Sequence, residues 1–394
     1  MQRLSQSPTD PAFVQDPYAF YDRARAFGPI FWWEDYDMPA AVSHAAVNAI
    51  LRDRRFGREE PAEQRQPIPD RLAPFYAVEA HSMLELEPPR HTRLRSLVLR
   101  AFTSRRIAAL GPEIAALAQE LAAPLPRDAP FDLLTGFAQP LPVRIIARLL
   151  GVPETMAPDL LRWSNAMVGM YQAGRTPAME EAAVTAAQDF SDFLRAYVIE
   201  RRAKPADDLI THLIAAETEG ERLTTDELIT TCILLLNAGH EATVHTIGNG
   251  VKALLQHKTG PEALAPDRIG ATVEEILRWD PPLHLFTRWA YEDIEVMGHS
   301  LRRGDRIACL LGAANRDPRL YDAPHKFKPA RADQGNLSFG AGLHFCVGAP
   351  LARLELQIAL PVLFAALPGL HLSGKPRYAN VYHFHGLERL MVHA

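Results

Sequence analysis

Residues 339–353 read Phe-Gly-Ala-Gly-Leu-His-Phe-Cys-Val-Gly-Ala-Pro-Leu-Ala-Arg, which sets one cysteine between a glycine-rich loop and an amphipathic helical run. No other stretch restricts the backbone so narrowly. Gly340, Gly342 and Gly348 are expected to let the main chain turn tightly and let a flat ligand approach without a Cβ in the way. Pro350 suits the first turn of a helix that continues Leu351-Ala-Arg-Leu-Glu-Leu-Gln. Cys346 then falls just before a helix N-terminus, where free amides and the helix dipole favour a thiolate. A thiolate held in such a loop is suited to bind iron axially, because it pushes electron density into the metal and favours O–O cleavage.

The pattern Phe-Gly-x-Gly-x-His-x-Cys-x-Gly is complete from Phe339 to Gly348. In it the chain resembles the cytochrome P450 family of haem-thiolate monooxygenases. The resemblance implies a mainly α fold with a minor β part, the triangular prism of that family, with residues 1–394 as a single haem-binding domain. It also implies haem b between a long helix and the cysteine loop. Cys346 would be the metal ligand, with Phe339, Gly340, His344 and Gly348 around it.

Bulk properties narrow the setting. The chain is 47% hydrophobic, enough for a large core, and its net charge of -5 gives no reason to invoke nucleic acid. Cys232, Cys309 and Cys346 are widely spaced and odd in number, as reduced thiols of a cytoplasmic protein would be. The N-terminal residues lack the apolar core of a signal peptide. No uninterrupted apolar stretch approaches the ~18–20 residues that span a bilayer, so no membrane association is expected.

Many of the 32 prolines punctuate short connections between helical runs. Glu59–Arg71 reads as a mobile surface loop and Ala173–Pro177 as a second break. Strands are expected near Ile30–Trp33 and Ile307–Leu311. Helices are expected over Ile107–Leu121, Val143–Leu150, Ala183–Glu200 and Leu351–Leu367. Thr224-Thr-Asp-Glu227 forms a capping box opening a helix from Asp226 to about His257, roughly 48 Å long. Gly239 in its middle costs about 1 kcal/mol relative to alanine. Something should need the space it opens, and a haem face would.

His240-Glu241 followed by His245 invites a zinc-protease reading, which fails on geometry. That motif needs histidines at i and i+4 on one face, whereas these are five apart and diverge by about 140°. Ala238-Gly239-x-Glu241 instead resembles the family's central-helix signature, in which an acid beside the oxygen pocket helps deliver protons. A carboxylate in so apolar a run is costly to bury unless paired or hydrated. The family usually follows that acid with threonine. This chain has Ala242, with Thr243 one position later and ~100° around the axis. Glu241 and Thr243 are therefore the candidate catalytic pair, completed by an ordered water or a substrate hydroxyl.

By the same resemblance His91, Arg95, Arg288 and His344 are expected to hold the haem propionates, with Ala238 and Gly239 against the haem face. Glu275, Arg278 and Arg331 are expected to form a supporting charge cluster. The substrate pocket is expected to draw on Glu59–Met83, Met167–Tyr171, Leu234–Ala238, Leu283–Phe286 and Val381–Phe384, with His284, Tyr382 and His383 as polar points for a mid-sized substrate bearing some oxygen.

The implied reaction inserts one atom of O2 into a small organic substrate by hydroxylation or epoxidation. No flavin or iron–sulfur unit fits beside the haem unit, so NAD(P)H is expected to act indirectly, through a separate ferredoxin and its reductase. Arg100, Arg105, Arg106 and Arg353 are candidates for that partner's docking face. Two rival classes remain at this point: a peroxide-using haem-thiolate enzyme, and a non-catalytic haem protein that binds a small ligand. An arginine in the central helix, the usual mark of the first, is missing near Glu241.

Overall fold

The computed structural model describes residues 1–218, 220–331 and 335–394. Its axis is the helix Thr225–Gln256, 32 residues long and hence about 48 Å. The capping box forms as the sequence requires. The Thr224 hydroxyl accepts the Glu227 amide at 3.2 Å, and the Glu227 carboxylate accepts the Thr224 amide at 2.9 Å. Two of the orphan amides of the first turn are thereby satisfied.

This helix is apolar nearly all round because other helices surround it. Pro140–Leu150, Ala157–Val168, Pro177–Ala203, Ile269–Trp279 and Ala349–Ala366 all pack on it. Gly239 lines the cavity, and a Cβ there would lie 2.8 Å from Ile146 Cδ1, the mobile end of a side chain on the helix Pro140–Leu150.

The β part is small. One six-stranded sheet runs in the order Arg3–Leu4, Ile30–Trp33, Met38–Ala41, Arg306–Leu310, Leu285–Ala290, Phe56–Gly57. Ile30–Trp33 combines one β-branched and three aromatic residues, which fit a pleated, half-buried surface. It pairs antiparallel with Met38–Ala41 across a turn in which Asp37 takes φ 45°. The sheet places Leu285–Ala290 beside the cysteine loop, where a Cβ on Gly340 would come within 3.3 Å of Phe286.

Of the expected loop Glu59–Arg71, Glu59–Pro69 forms no helix or strand and is mostly exposed, but its end falls in the 3-10 turn Asp70–Leu72, which leads into the helix Ala73–Glu79. The helix Ala349–Ala366 is long and apolar enough to cross a bilayer by composition, with mean hydropathy 1.4. It is not the uninterrupted apolar stretch that the sequence is expected to lack, because Arg353, Glu355 and Gln357 break it. It packs against Gly111–Ala122 and Ile269–Trp279 and carries Arg353 and Glu355, as a core helix does.

Two buried polar assemblies lock the helices to the loops. Glu275 accepts both Arg278 (2.6 and 2.9 Å) and Arg331 (3.0 Å), and its Oε1 also accepts the Lys328 amide at 2.7 Å. The expected charge cluster is therefore formed. The second assembly centres on Asp280. Its Oδ1 accepts Tyr18 at 3.1 Å and lies 2.8 Å from His385 Nδ1, while Oδ2 takes Lys252 at 3.3 Å and the Tyr378 hydroxyl.

Candidate active site

A cavity of about 930 Å³ opens between the central helix and the cysteine loop. The helix contributes Ala238, Gly239, Glu241, Ala242 and Thr243, and the loop contributes Phe339, His344, Cys346 and Gly348. His91 and Arg95, one turn apart on the helix Arg90–Ala101, join them. Ten of the twelve site residues expected from sequence thus meet on one wall or its opposite. Arg288 and Gly340 do not line the cavity. Arg288 lies buried on the strand Leu285–Ala290, while Thr287 and Trp289 beside it do line the cavity.

The loop turns where the glycines demand it at two positions of three. Gly340 and Gly342 take φ 69° and 71°, which favour glycine, and a Cβ on Gly342 would collide with the Leu51 carbonyl. Gly348 has φ -79°, open to any residue, and a Cβ there would make an ordinary 3.8 Å contact with Cys346 Sγ. Backbone conformation does not explain that glycine.

Cys346 is exposed onto the cavity. Desolvation pushes its thiol above the usual range, and the amides of Gly348 and Ala349 with the charges of Arg95 and Arg353 only partly offset this. The helix-terminal amides alone therefore do not give the thiolate expected from sequence. A coordinated metal ion would, because its own charge deprotonates a coordinating thiol.

The remaining donors suit a flat dianionic ligand. His91 is buried, its Nδ1 has no partner among the described residues, and burial lowers it to about 4. Its ring lies 4.4 Å from that of His344, whose Nε2 is 2.8 Å from Glu87 Oε1. Arg95 donates to the Phe345 carbonyl at 2.7 Å, which ties the helix to the cysteine loop. Arg288 is lowered to about 10, first by burial and then by Arg58. Two arginines without an ion pair among the described residues, Arg95 and Arg288, and the unpartnered Nδ1 of the neutral His91 imidazole beside the Cys346 thiol are a donor set that a haem with two propionates fits.

Across the cavity, Glu241 Oε1 sits 3.3 Å from His245 Nε2, and Oε2 has no partner among the described residues. Burial raises the Glu241 carboxyl, but His245 and then His240 outweigh it, leaving it below the usual value. Thr243 donates its hydroxyl to the Gly239 carbonyl at 2.8 Å, so its proton is committed inside the helix. His240 is buried away from the cavity lining, in keeping with rejection of a zinc pair.

All five segments expected to form the substrate wall reach the cavity, for example at Tyr171, Leu234, Leu283 and His383. His284 and Tyr382 do not. Both are buried against Tyr21, which lies 2.9 Å from each. Asp280, His284 and His385 have metal-compatible spacing, but Lys252 already supplies the charge there and Tyr18 and Tyr21 occupy His284. Of the docking candidates, Arg353 is bound to Glu274 at 2.5 Å and Arg106 contacts His212 at 2.6 Å. Arg100 and Arg105 are exposed, with exposed Leu99 beside them.

Sequence reasoning missed Glu355. It is buried on the helix Ala349–Ala366, lines the cavity, leaves Oε1 unpartnered among the described residues, and is pushed up to about 8 by burial. The signal was available: an acid inside an apolar helical run, the argument that singled out Glu241.

The model of the family described as Cytochrome P450 matches residues 154–265 and 269–366. The chain is 36% identical over 406 residues to the polyketide biosynthesis cytochrome P450 PksS of Bacillus subtilis, covering 100% of this chain and 99% of that one. It is 39% identical over 379 residues to 6-deoxyerythronolide B hydroxylase of Saccharopolyspora erythraea, covering 92% and 91%. Among solved structures it is similar to P450BioI in complex with an acyl carrier protein ligated to hexadec-9Z-enoic acid. The TM-score is 0.92 at 34% identity, with 98% of this chain and 100% of that chain covered.

Proposed function

The chain belongs to the cytochrome P450 family, and from that premise we propose that it oxygenates a mid-sized, oxygen-bearing organic molecule held in the cavity beneath Ala238 and Ala242, working as one unit in the cytoplasm. Membership makes it an oxidoreductase and implies haem, O2 and a small-molecule substrate. Bound haem supplies oxygen activation and one-electron chemistry at iron. The observation that carries the reading is the convergence of Cys346 and the Ala238–Thr243 turn on opposite sides of one cavity, with His91, Arg95 and His344 beside it.

The chain's own groups take these roles. Cys346 would hold the haem iron through its thiolate. His91, Arg95 and His344 would hold the haem carboxylates, with Arg288 adding charge from behind the wall. Glu241, ionised because its carboxyl lies below the usual value, would pass a proton on from solvent at its unpartnered Oε2, with His245 Nε2 3.3 Å from Oε1. Thr243 offers only lone pairs, since its proton goes to Gly239, so a water or substrate hydroxyl must bridge from Glu241. Electrons come from NAD(P)H through a separate reductase and an acidic ferredoxin, which meets Arg100 and Arg105.

The test is a carbon-monoxide difference spectrum of the reduced protein, then turnover of macrolactones and fatty acids under isotopically heavy O2. Substrates are incubated with surrogate ferredoxin and reductase, or with peroxide alone. Label in the product with the reductase system supports the proposal. Product only with peroxide would make it a peroxide-using enzyme, and a thiolate-type band with no product from any substrate would favour a ligand-binding protein.

A further inference from the structure

The cavity wall formed by the helix Ala73–Glu79 and the turn Gly169–Tyr171 carries charge that oxygen chemistry does not need. Glu79, Glu85, Arg58 and Tyr171 all face it. Arg58 is the nearest cation, and its guanidinium is ion-paired to Glu85. Among the other arginines of the cavity, Arg90 donates to the Ala80 carbonyl at 3.0 Å and Arg306 lies over the Trp289 ring, while two more are ion-paired. Arg65 binds Glu59 at 2.7 Å, and Arg175 binds Glu180 at 3.0 Å. Glu87 is taken by His344 and by the Arg58 amide.

Glu79 has no such partner. One oxygen accepts the Tyr171 hydroxyl at 2.7 Å, and among the described residues no ion pair reaches the carboxylate. Burial pushes it up to about 7. Tyr171 and Arg58 pull it down and Glu85 pushes it further up, so these three groups and the burial set its charge. A carboxylate at a cavity wall that no arginine reaches in an ion pair is open to a cation brought by a ligand. Tyr76 and Tyr171 line the same wall, and aromatic faces favour a cation held near them.

We infer that this wall is an ammonium subsite, in which Glu79, braced by Tyr171, receives the protonated amine of a basic substrate. The inference rests on the reading of the cavity as the substrate chamber. It narrows the substrate class to organic molecules carrying an aliphatic amine. A ligand carboxylate is disfavoured at this wall, because Glu79 and Glu85 would repel it.

The test compares two ligands on the ferric holoenzyme: a ten-carbon alcohol ending in a dimethylamino group, and the same alcohol ending in isopropyl. A tertiary amine is too crowded to ligate iron well, so the Soret spin shift reports seating in the cavity, while equilibrium dialysis reports occupancy independently of the iron. The amine is expected to bind roughly tenfold tighter at about pH 8. Because Glu79 must be ionised and its carboxyl lies near 7, the preference should grow through neutrality and vanish near about pH 5.5. Glu79→Gln should abolish it and leave isopropyl binding unchanged, and Tyr171→Phe should move its midpoint upward.

Equal binding of the two ligands at about pH 8, binding of neither, or a preference that survives Glu79→Gln overturns the inference. Amine-selective dialysis without any spin shift keeps the subsite but detaches it from the oxygenation chamber. A thiolate-type carbon-monoxide band in the same sample keeps the haem-thiolate reading whichever way the amine falls.

Discussion

Two buried polar assemblies in this molecule have opposite character. Around Asp280 both carboxylate oxygens are occupied twice over, by Tyr18 and His385 on one side and by Lys252 and Tyr378 on the other. Around the cavity, Glu241 Oε2, Glu355 Oε1, Asn237 Oδ1 and His91 Nδ1 lack partners among the described residues. Buried polar atoms are nearly always hydrogen-bonded. The Asp280 carboxylate is thus closed and reports architecture, although His385 Nε2 beside it has no partner among the described residues, whereas the open atoms at the cavity report where water or a ligand completes the structure. The Asp280 set pins the segment 381–386, which brings His383 and Phe384 to the cavity wall. The closed assembly aims the open one.

Breaking the closed set should have the largest effect. Asp280→Asn leaves the buried Lys252 ammonium without its counter-ion, and loss of one partner from a buried pair costs about 3–5 kcal/mol. Denaturant unfolding near neutrality measures this, and adding Lys252→Met should recover part of the loss. The pH sign follows from the carboxyl. Burial raises it, but Lys252 and then His385 take it well below the usual range. Its contribution is therefore present above the ordinary carboxylate value and is lost only as pH falls through the lower folded value.

Glu355 in the open set should show the opposite sign. Burial raises it to about 8, so its neutral form suits the fold. Stability is fully present below the unfolded value and is lost as pH rises toward the folded one. Glu355→Gln, neutral at every pH, should match wild type near about pH 4 and exceed it by about 3 kcal/mol near neutrality, growing to pH 8. Parallel pH profiles of the two proteins would show that the cavity already hydrates this carboxylate.

These contrasts explain what could be read in advance. The capping box at Thr224, the long helix and the cysteine loop were legible because each depends on neighbours in sequence: a side chain three residues on, a 3.6-residue period, a glycine at positive φ. Ten cavity residues were legible because their motifs carry the site's own chemistry. Illegible were the features set by distant neighbours. His284 looked like cavity wall, but its ring is claimed by Tyr21, 263 residues away. Arg353 looked free for docking, but Glu274 holds it. Sequence displays a polar residue, but whether its partner lies in the protein or in a ligand is decided by tertiary packing.

A smaller effect tests the brace behind Glu241. A Cβ at Gly386 would fall 1.9 Å from His245 Nδ1, so the imidazole has room only because residue 386 is glycine. Gly386→Ala should cost about 2 kcal/mol through overpacking and push His245 off Glu241, whose carboxyl then rises. His245→Ser in the same chain should relieve the clash and restore stability, but not the proton supply. Recovery of stability and of product formed per reductant together would remove His245 from the relay.

The smallest effect separates the two members of the proposed relay. Thr243 belongs to the closed class although it faces the cavity, because its hydroxyl donates to Gly239 at 2.8 Å. Thr243→Ala loses that bond, worth about 1 kcal/mol, and gains helix propensity of a few tenths, about 0.5 kcal/mol, so stability should change by less than about 1 kcal/mol. Coupling of reductant to product should also fall little. Glu241→Gln, which removes the charge but keeps the shape, should instead uncouple strongly, with a larger solvent isotope effect on what turnover remains. Should Thr243→Ala uncouple as severely as Glu241→Gln, the hydroxyl must leave Gly239 during turnover, and the line between the closed and open sets would then run through Thr243 itself.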